Sequence, residues 1–243
     1  MARALWLPHK IAEYGVPVKL VSGWETRGSS VFNPQGVVCH HTASAAGSDH
    51  PALGIVTHGR SDLPGPLAQV LLARNGDAYI VASGRANHAG SGGYRGLYGN
   101  SSVLGIEAEN NGVGEPWSQN QIRSYHRICA AMCSAIGRDA SWVCGHKEWT
   151  SRKIDPAGIN MNDFRVFVQQ VIITGGDDIM TEAQMNKLGD WMQDQRELLY
   201  KDLTGPKSPI MKALFANRKL EEKRMQAIVD EAGLDLDISK IKK

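Results

Sequence analysis

GVVCHHTAS, residues 36–44, is the stretch from which the fold can be read. Val37 and Val38 follow a glycine, and the run closes on His40, His41 and small polar residues. β-Branched residues in a short apolar run predict a buried strand. Working outward, LAQVLLARNGDAYIVA (67–82) reads as two strands joined at Asn75-Gly76, a strong hairpin signal. SVLGIEAEN (102–110) is another strand. SQNQIRSYHRICAAMCSAIG (118–137) is a helix, with Ser118 as N-cap, Gly137 at its end, and Ile122, Tyr125, Ile128, Cys129 and Met132 on one face. ASWVCGH (140–146) is a further strand running into a loop, and MNDFRVFVQQVIIT (161–174) is a closing helix. Strands interleaved with helices predict an α/β domain with a central mixed β-sheet flanked by helices.

The chain has 243 residues, 42% of them hydrophobic, enough for a real core. Of its 26 glycines, 23 fall in residues 1–176, as do all four cysteines. That shift in composition predicts a first domain over 1–176 and a helical C-terminal region over 177–243. In the tail, Thr181 and Gln184 form a capping box, and Met185, Leu188, Met192 and Leu199 form a stripe. Gly205-Pro206 breaks this helix; Ser208-Pro209 opens a second that stops at Gly233. Such stripes must pack on the first domain, on each other or on a second copy of the chain, so the tail is expected to serve self-association as a homo-oligomer or attachment to a target surface. The net charge is +2 with no basic block, which argues against nucleic acid as a partner. The first residues, MARALWLPHKIAEYG, do not read as a secretory signal, and no apolar run is long enough for membrane insertion. Synthesis in the cytoplasm is the expectation. Cys39, Cys129, Cys133 and Cys144 form no C-x-x-C pair and are expected as buried, reduced thiols.

Two strand ends carry residues suited to a metal. Zinc accepts imidazole nitrogen and carboxylate oxygen, and a catalytic site keeps three protein ligands plus water. The pair His40-His41 at one strand end, with His146 and Asp155 in GHKEWTSRKIDP (145–156), could meet that count. Neighbouring strand residues face opposite ways, so His40 and His41 cannot both serve one ion. Two adjacent histidines also suit packing or surface positions, and no H-E-x-x-H helix is present. Trp117, Trp142 and Trp149 are candidates either for stacking on sugar or for the core.

Four motifs occur in order: GVVCHHTAS, NGDAYIVASGRANHAG (75–90), NSSVLGIEAENNG (100–112) and VCGHKEWTSRKIDPAGINM (143–161). Together they resemble the type 2 N-acetylmuramoyl-L-alanine amidases, similar to peptidoglycan recognition proteins, and most of all the actinobacterial and actinophage members. The likeness spans about residues 20–170. It implies a Zn2+ ion held by His40, His146 and Asp155, with His41 left to packing or outer support. It also implies Glu107 and Lys153 as catalytic residues, and His88 in the substrate groove. Glu109 alternates onto the same face as Glu107 and is the weaker candidate for the base. Zinc can lower the pKa of its water towards about 7 and polarise a carbonyl. Glu107 would move the proton and Lys153 would stabilise the oxyanion. Pro156 restricts the backbone of Asp155. The implied substrate is peptidoglycan and the implied role a phage endolysin, made in the host cytoplasm and acting on the wall after release. The alternatives are a bacterial remodelling or recycling amidase, or a non-catalytic recognition protein.

Overall fold

The computed structural model describes residues 3–176. The chain divides into two units, Met1–Asp177 and Asp178–Lys243. The expected tail helices, capping box and stripe lie outside the described residues.

In chain order the elements are α1 (Leu7–Glu13), β1 (Val18–Leu20), β2 (Gly36–His41), α2 (Leu53–His58), β3 (Gly59–Arg60), β4 (Leu63–Pro64), β5 (Val70–Leu72) and β6 (Ala78–Ile80). There follow β7 (Gly93–Tyr94), β8 (Leu97–Tyr98), β9 (Val103–Ala108), α3 (Gln119–Ala135), β10 (Val143–Gly145), α4 (His146–Trp149) and α5 (Met161–Thr174). Six strands make one sheet, in the order β1-β6-β5-β9-β2-β10. β5, β9, β2 and β10 run parallel, β6 returns antiparallel to β5, and β1 lies parallel to β6. The sheet is therefore mixed, as expected. The β5–β6 hairpin turns at Asn75-Gly76, where the Asn75 side chain accepts the Asp77 N–H at 2.9 Å.

Alternation along β2 divides the labour of the sheet. Val37 and Cys39 join Leu104, Ile106, Val70, Leu72 and Ile80 in the main core beneath α1, α3 and α5. Truncating a fully buried member such as Ile128 of α3 to alanine would cost about 2–5 kcal/mol. On the other face, Leu71, Val81 and Val56 form one small cluster, and Val38, Val103, Cys144 and Trp149 form another. Neither cluster includes His40 or Glu107, which pair in register on β2 and β9. That strip of the sheet is left for chemistry.

Helix α3 begins where expected, with the Ser118 hydroxyl accepting the Gln121 N–H at 3.2 Å. Helix α5 matches its predicted span. The chain does not enter a loop at His146, however, but makes the single helical turn α4. Glu148 accepts the Gly145 N–H at 2.9 Å and is gripped by Arg165 of α5 at 2.8 and 3.0 Å, which closes the turn. Helix α1 and strand β1 were not read from the sequence. All four cysteines are free and buried. Among the described residues, no helix is long and apolar enough to cross a membrane.

Candidate active site

His40 and Glu107 each stand one residue from the end of their strands, and His146 directly follows β10. All three emerge at the carboxyl ends of adjacent parallel strands, where open α/β sheets bind ligands. Asp155 reaches in from the loop after α4. His40 Nδ1, His146 Nδ1 and Asp155 Oδ2 stand 3.0 Å from one another, and all three residues are buried. Among the described residues, this is the histidine, cysteine and carboxylate cluster able to hold a metal ion.

The protonation of the rings follows from what lies behind them. His146 Nε2 is 3.2 Å from the Ala89 carbonyl, which can only accept, so Nε2 carries the proton and Nδ1 is bare. His88 Nε2 faces the Val103 carbonyl at 3.4 Å, which leaves His88 Nδ1 to accept from His40 Nε2 at 3.0 Å. His40 Nδ1 is then bare as well. Three lone-pair atoms converge in a buried triangle, an arrangement that calls for positive charge at its centre. A triangle of this size lets one zinc ion stand about 2.0–2.2 Å from every corner. Each ring also has the outer partner that metal-bound histidines ordinarily have.

Burial pushes the His40 imidazolium down to about 4, against the opposing pull of Asp155. Burial alone would raise Asp155, but the His146 and His40 imidazoles beside its Oδ2 outweigh it and hold the carboxyl well below its usual range. Glu107 is the opposite case: burial, reinforced by Asp155, pushes its carboxyl up to about 8. Its Oε2 is sealed from solvent and has no hydrogen-bond partner. A carboxylate kept this way has a high affinity for a proton.

Glu109 shares that face but has a different environment. It is fully buried and accepts from the Thr42 hydroxyl at 2.9 Å, the Ala52 N–H at 2.8 Å and the Ser44 hydroxyl. Arg74 lies 3.5 Å away. These bonds tie the loop after β2 to the sheet and occupy both oxygens of Glu109.

His41 points to the other side of β2. Its Nδ1 accepts the Ala157 N–H at 3.0 Å, and its ring packs on Gly112, where a Cβ would stand 2.4 Å from Nε2. Lys153 is exposed, two residues before Asp155. His88 stands behind His40. Both its ring nitrogens are engaged inside the protein, and the ring lies over Gly105, where any Cβ would come within 2.6 Å of it. Its Nδ1 is thereby tied to His40. Trp149 is buried and packs on Gly92, whereas Trp142 lies under the guanidinium groups of Arg95 and Arg138. Trp117 donates to the Ala157 carbonyl at 2.9 Å. The sequence reading missed Lys147, whose ammonium donates to the carbonyls of Pro156 and Ile159; its place beside His146 was the available signal.

Comparison with solved structures finds an AmpD derivative at 21% identity and a TM-score of 0.48, covering 63% of this chain and 93% of that one. The endolysin amidase LysCS from Clostridium intestinale is 20% identical at a TM-score of 0.48, covering 61% and 93%. AmiD from E. coli, in complex with its substrate anhydro-N-acetylmuramic acid-L-Ala-D-γ-Glu-L-Lys, is 20% identical at a TM-score of 0.42, covering 54% and 55%. No curated protein sequence matches the chain. A family model does match, over residues 30–158, which is more than half the chain and includes His40, Glu107, His146 and Asp155; the chain belongs to the N-acetylmuramoyl-L-alanine amidase family.

Proposed function

We propose that this amidase cleaves the amide bond between N-acetylmuramic acid and L-alanine in peptidoglycan, using zinc held by His40, His146 and Asp155. The observation that carries this reading is the buried triangle of two bare imidazole nitrogens and a carboxylate oxygen, 3.0 Å on each side. When bound there, zinc would act as a Lewis acid towards the amide carbonyl and would lower the pKa of water towards neutrality. Glu107 takes the proton from that water and returns it to the departing nitrogen as the C–N bond breaks. The unpartnered Oε2 of Glu107 leaves it free for both halves of that transfer. Lys153 brings positive charge to the oxygen on which negative charge develops. The test is metal content together with release of new L-alanine amino termini from purified walls. Chelation should abolish release and zinc should restore it; undiminished hydrolysis by verified metal-free protein would refute the mechanism.

The likeness of the motifs to actinophage members supports an endolysin role, with synthesis in the host cytoplasm and action on the wall after release. Residues 1–176 form the catalytic domain in this reading. Residues 177–243, with 12 basic and 13 acidic side chains, are poorly suited to simple electrostatic adhesion and serve self-association.

A further inference from the structure

The loop that delivers Asp155 has no regular structure from residue 155 to 160, so its backbone groups need partners from elsewhere. Most come from Lys147 and His41. The Lys147 N–H donates to the Asp155 carbonyl at 2.8 Å. Its ammonium donates to the carbonyls of Pro156 at 2.9 Å and Ile159 at 2.6 Å. On the other side, His41 Nδ1 accepts the Ala157 N–H at 3.0 Å, and Trp117 donates to the Ala157 carbonyl at 2.9 Å. Lys147 directly follows His146, and His41 directly follows His40. Each residue next to a proposed histidine ligand therefore reaches across to hold the arm of the third ligand.

We propose that Lys147 and His41 are positioning residues of the metal site, and that they fix Asp155 against His40 and His146. The inference rests on the zinc reading given above. A half-buried ammonium is costly unless its donors are used, and here they are used on carbonyls that otherwise lack a partner. Released from these ties, the arm would hold Asp155 Oδ2 at the triangle only part of the time. Zinc affinity would fall although no ligand had been changed, as happens when outer partners of metal sites are lost.

The experiment uses the full chain. Zinc affinity is measured by competition with a chromophoric chelator, beside the melting temperature of the zinc-free protein. Lys147→Met keeps the apolar stem and removes the ammonium; His41→Leu removes the acceptor. Each should weaken zinc binding about ten- to a hundredfold. His41→Asn keeps an acceptor close to the position of Nδ1 and should recover most of the loss. This rescue separates positioning from a general role in packing, because both His41 variants lose the ring. Zinc affinities of Lys147→Met and His41→Leu within twofold of the wild type would overturn the proposal, as would equal losses in His41→Leu and His41→Asn. If Lys147→Met does not fold, the His41 pair decides by the same criteria. A wild-type chain that binds no zinc would instead overturn the metal reading, and this inference with it.

Discussion

Glu107→Gln should make the metal-free protein more stable and the enzyme nearly inactive. The carboxyl has a folded pKa of about 8 against an ordinary value of 4.5. Between those values the unfolded chain gives up its proton while the folded chain retains it. The folded state then binds more protons, so stability falls as pH rises through this window, by about 1.4 kcal/mol per pH unit. Integrated in full, the penalty approaches about 5 kcal/mol at pH 8. Glu107 is only partly enclosed, and solvent relaxation reduces the expected effect to about 1–3 kcal/mol. Glutamine keeps the shape and cannot ionise, so it escapes the penalty. Urea melts in the presence of chelator should show the variant ahead by that margin at pH 8 and level with the wild type near pH 4. Zinc in the triangle favours the ionised carboxylate, so the margin should narrow in loaded protein. Turnover should fall by about 10²–10⁴-fold, the usual worth of a positioned proton carrier. A variant no more stable than the wild type at pH 8, or ahead by the same margin at every pH, would refute the argument.

Glu109→Gln should act with the opposite sign, because its carboxylate binds two hydroxyls, a backbone N–H and Arg74; a loss of about 1–3 kcal/mol in the same melts is expected, and a dead Glu109→Gln beside an active Glu107→Gln would reverse the assignment of the base. His88→Phe removes the acceptor that fixes the His40 tautomer, so calorimetric titration should show zinc affinity about ten- to a hundredfold weaker, and unchanged affinity would deny it that role. A chain ending at residue 176 should keep zinc and cleave soluble muramyl peptides while losing part of its action on intact walls. Comparing its solution mass and wall retention with the full chain checks this, and a monomeric full-length protein would refute self-association.

The elements that could be read from the sequence are those whose signal is local. The closing helix was bounded by Asn160 and Gly175, and the sequence pattern alone set its span at Met161–Thr174. The 75–76 turn and the Ser118 cap were equally plain, because one side chain satisfies a neighbouring backbone group in each case. What escaped was structure made by distant partners. The turn α4 is too short to show a helical period, and it is held by Arg165 from another element. β1 has only three residues and pairs with a strand sixty positions away in the register Val18 to Ala78.

The same distinction governs the site. The grouping of His40, His146 and Asp155 could be anticipated because ordered motifs name them, and alternation alone made His40 and His41 exclusive. The packing of His88 was not reachable, since it depends on Gly105 of another strand leaving room for a ring and on the Val103 carbonyl facing its Nε2. GHKEW, residues 145–149, shows how densely such roles can be packed. His146 faces the triangle, Lys147 holds the arm of Asp155, Glu148 anchors the turn to α5, and Trp149 closes the small core against Gly92. In the sequence the segment offered one histidine and some charges. Each charge acquired a purpose only when the fold brought its partner within 3 Å, so Lys147, which touches no ligand atom, was invisible beside Lys153 until the carbonyls of Pro156 and Ile159 were in place.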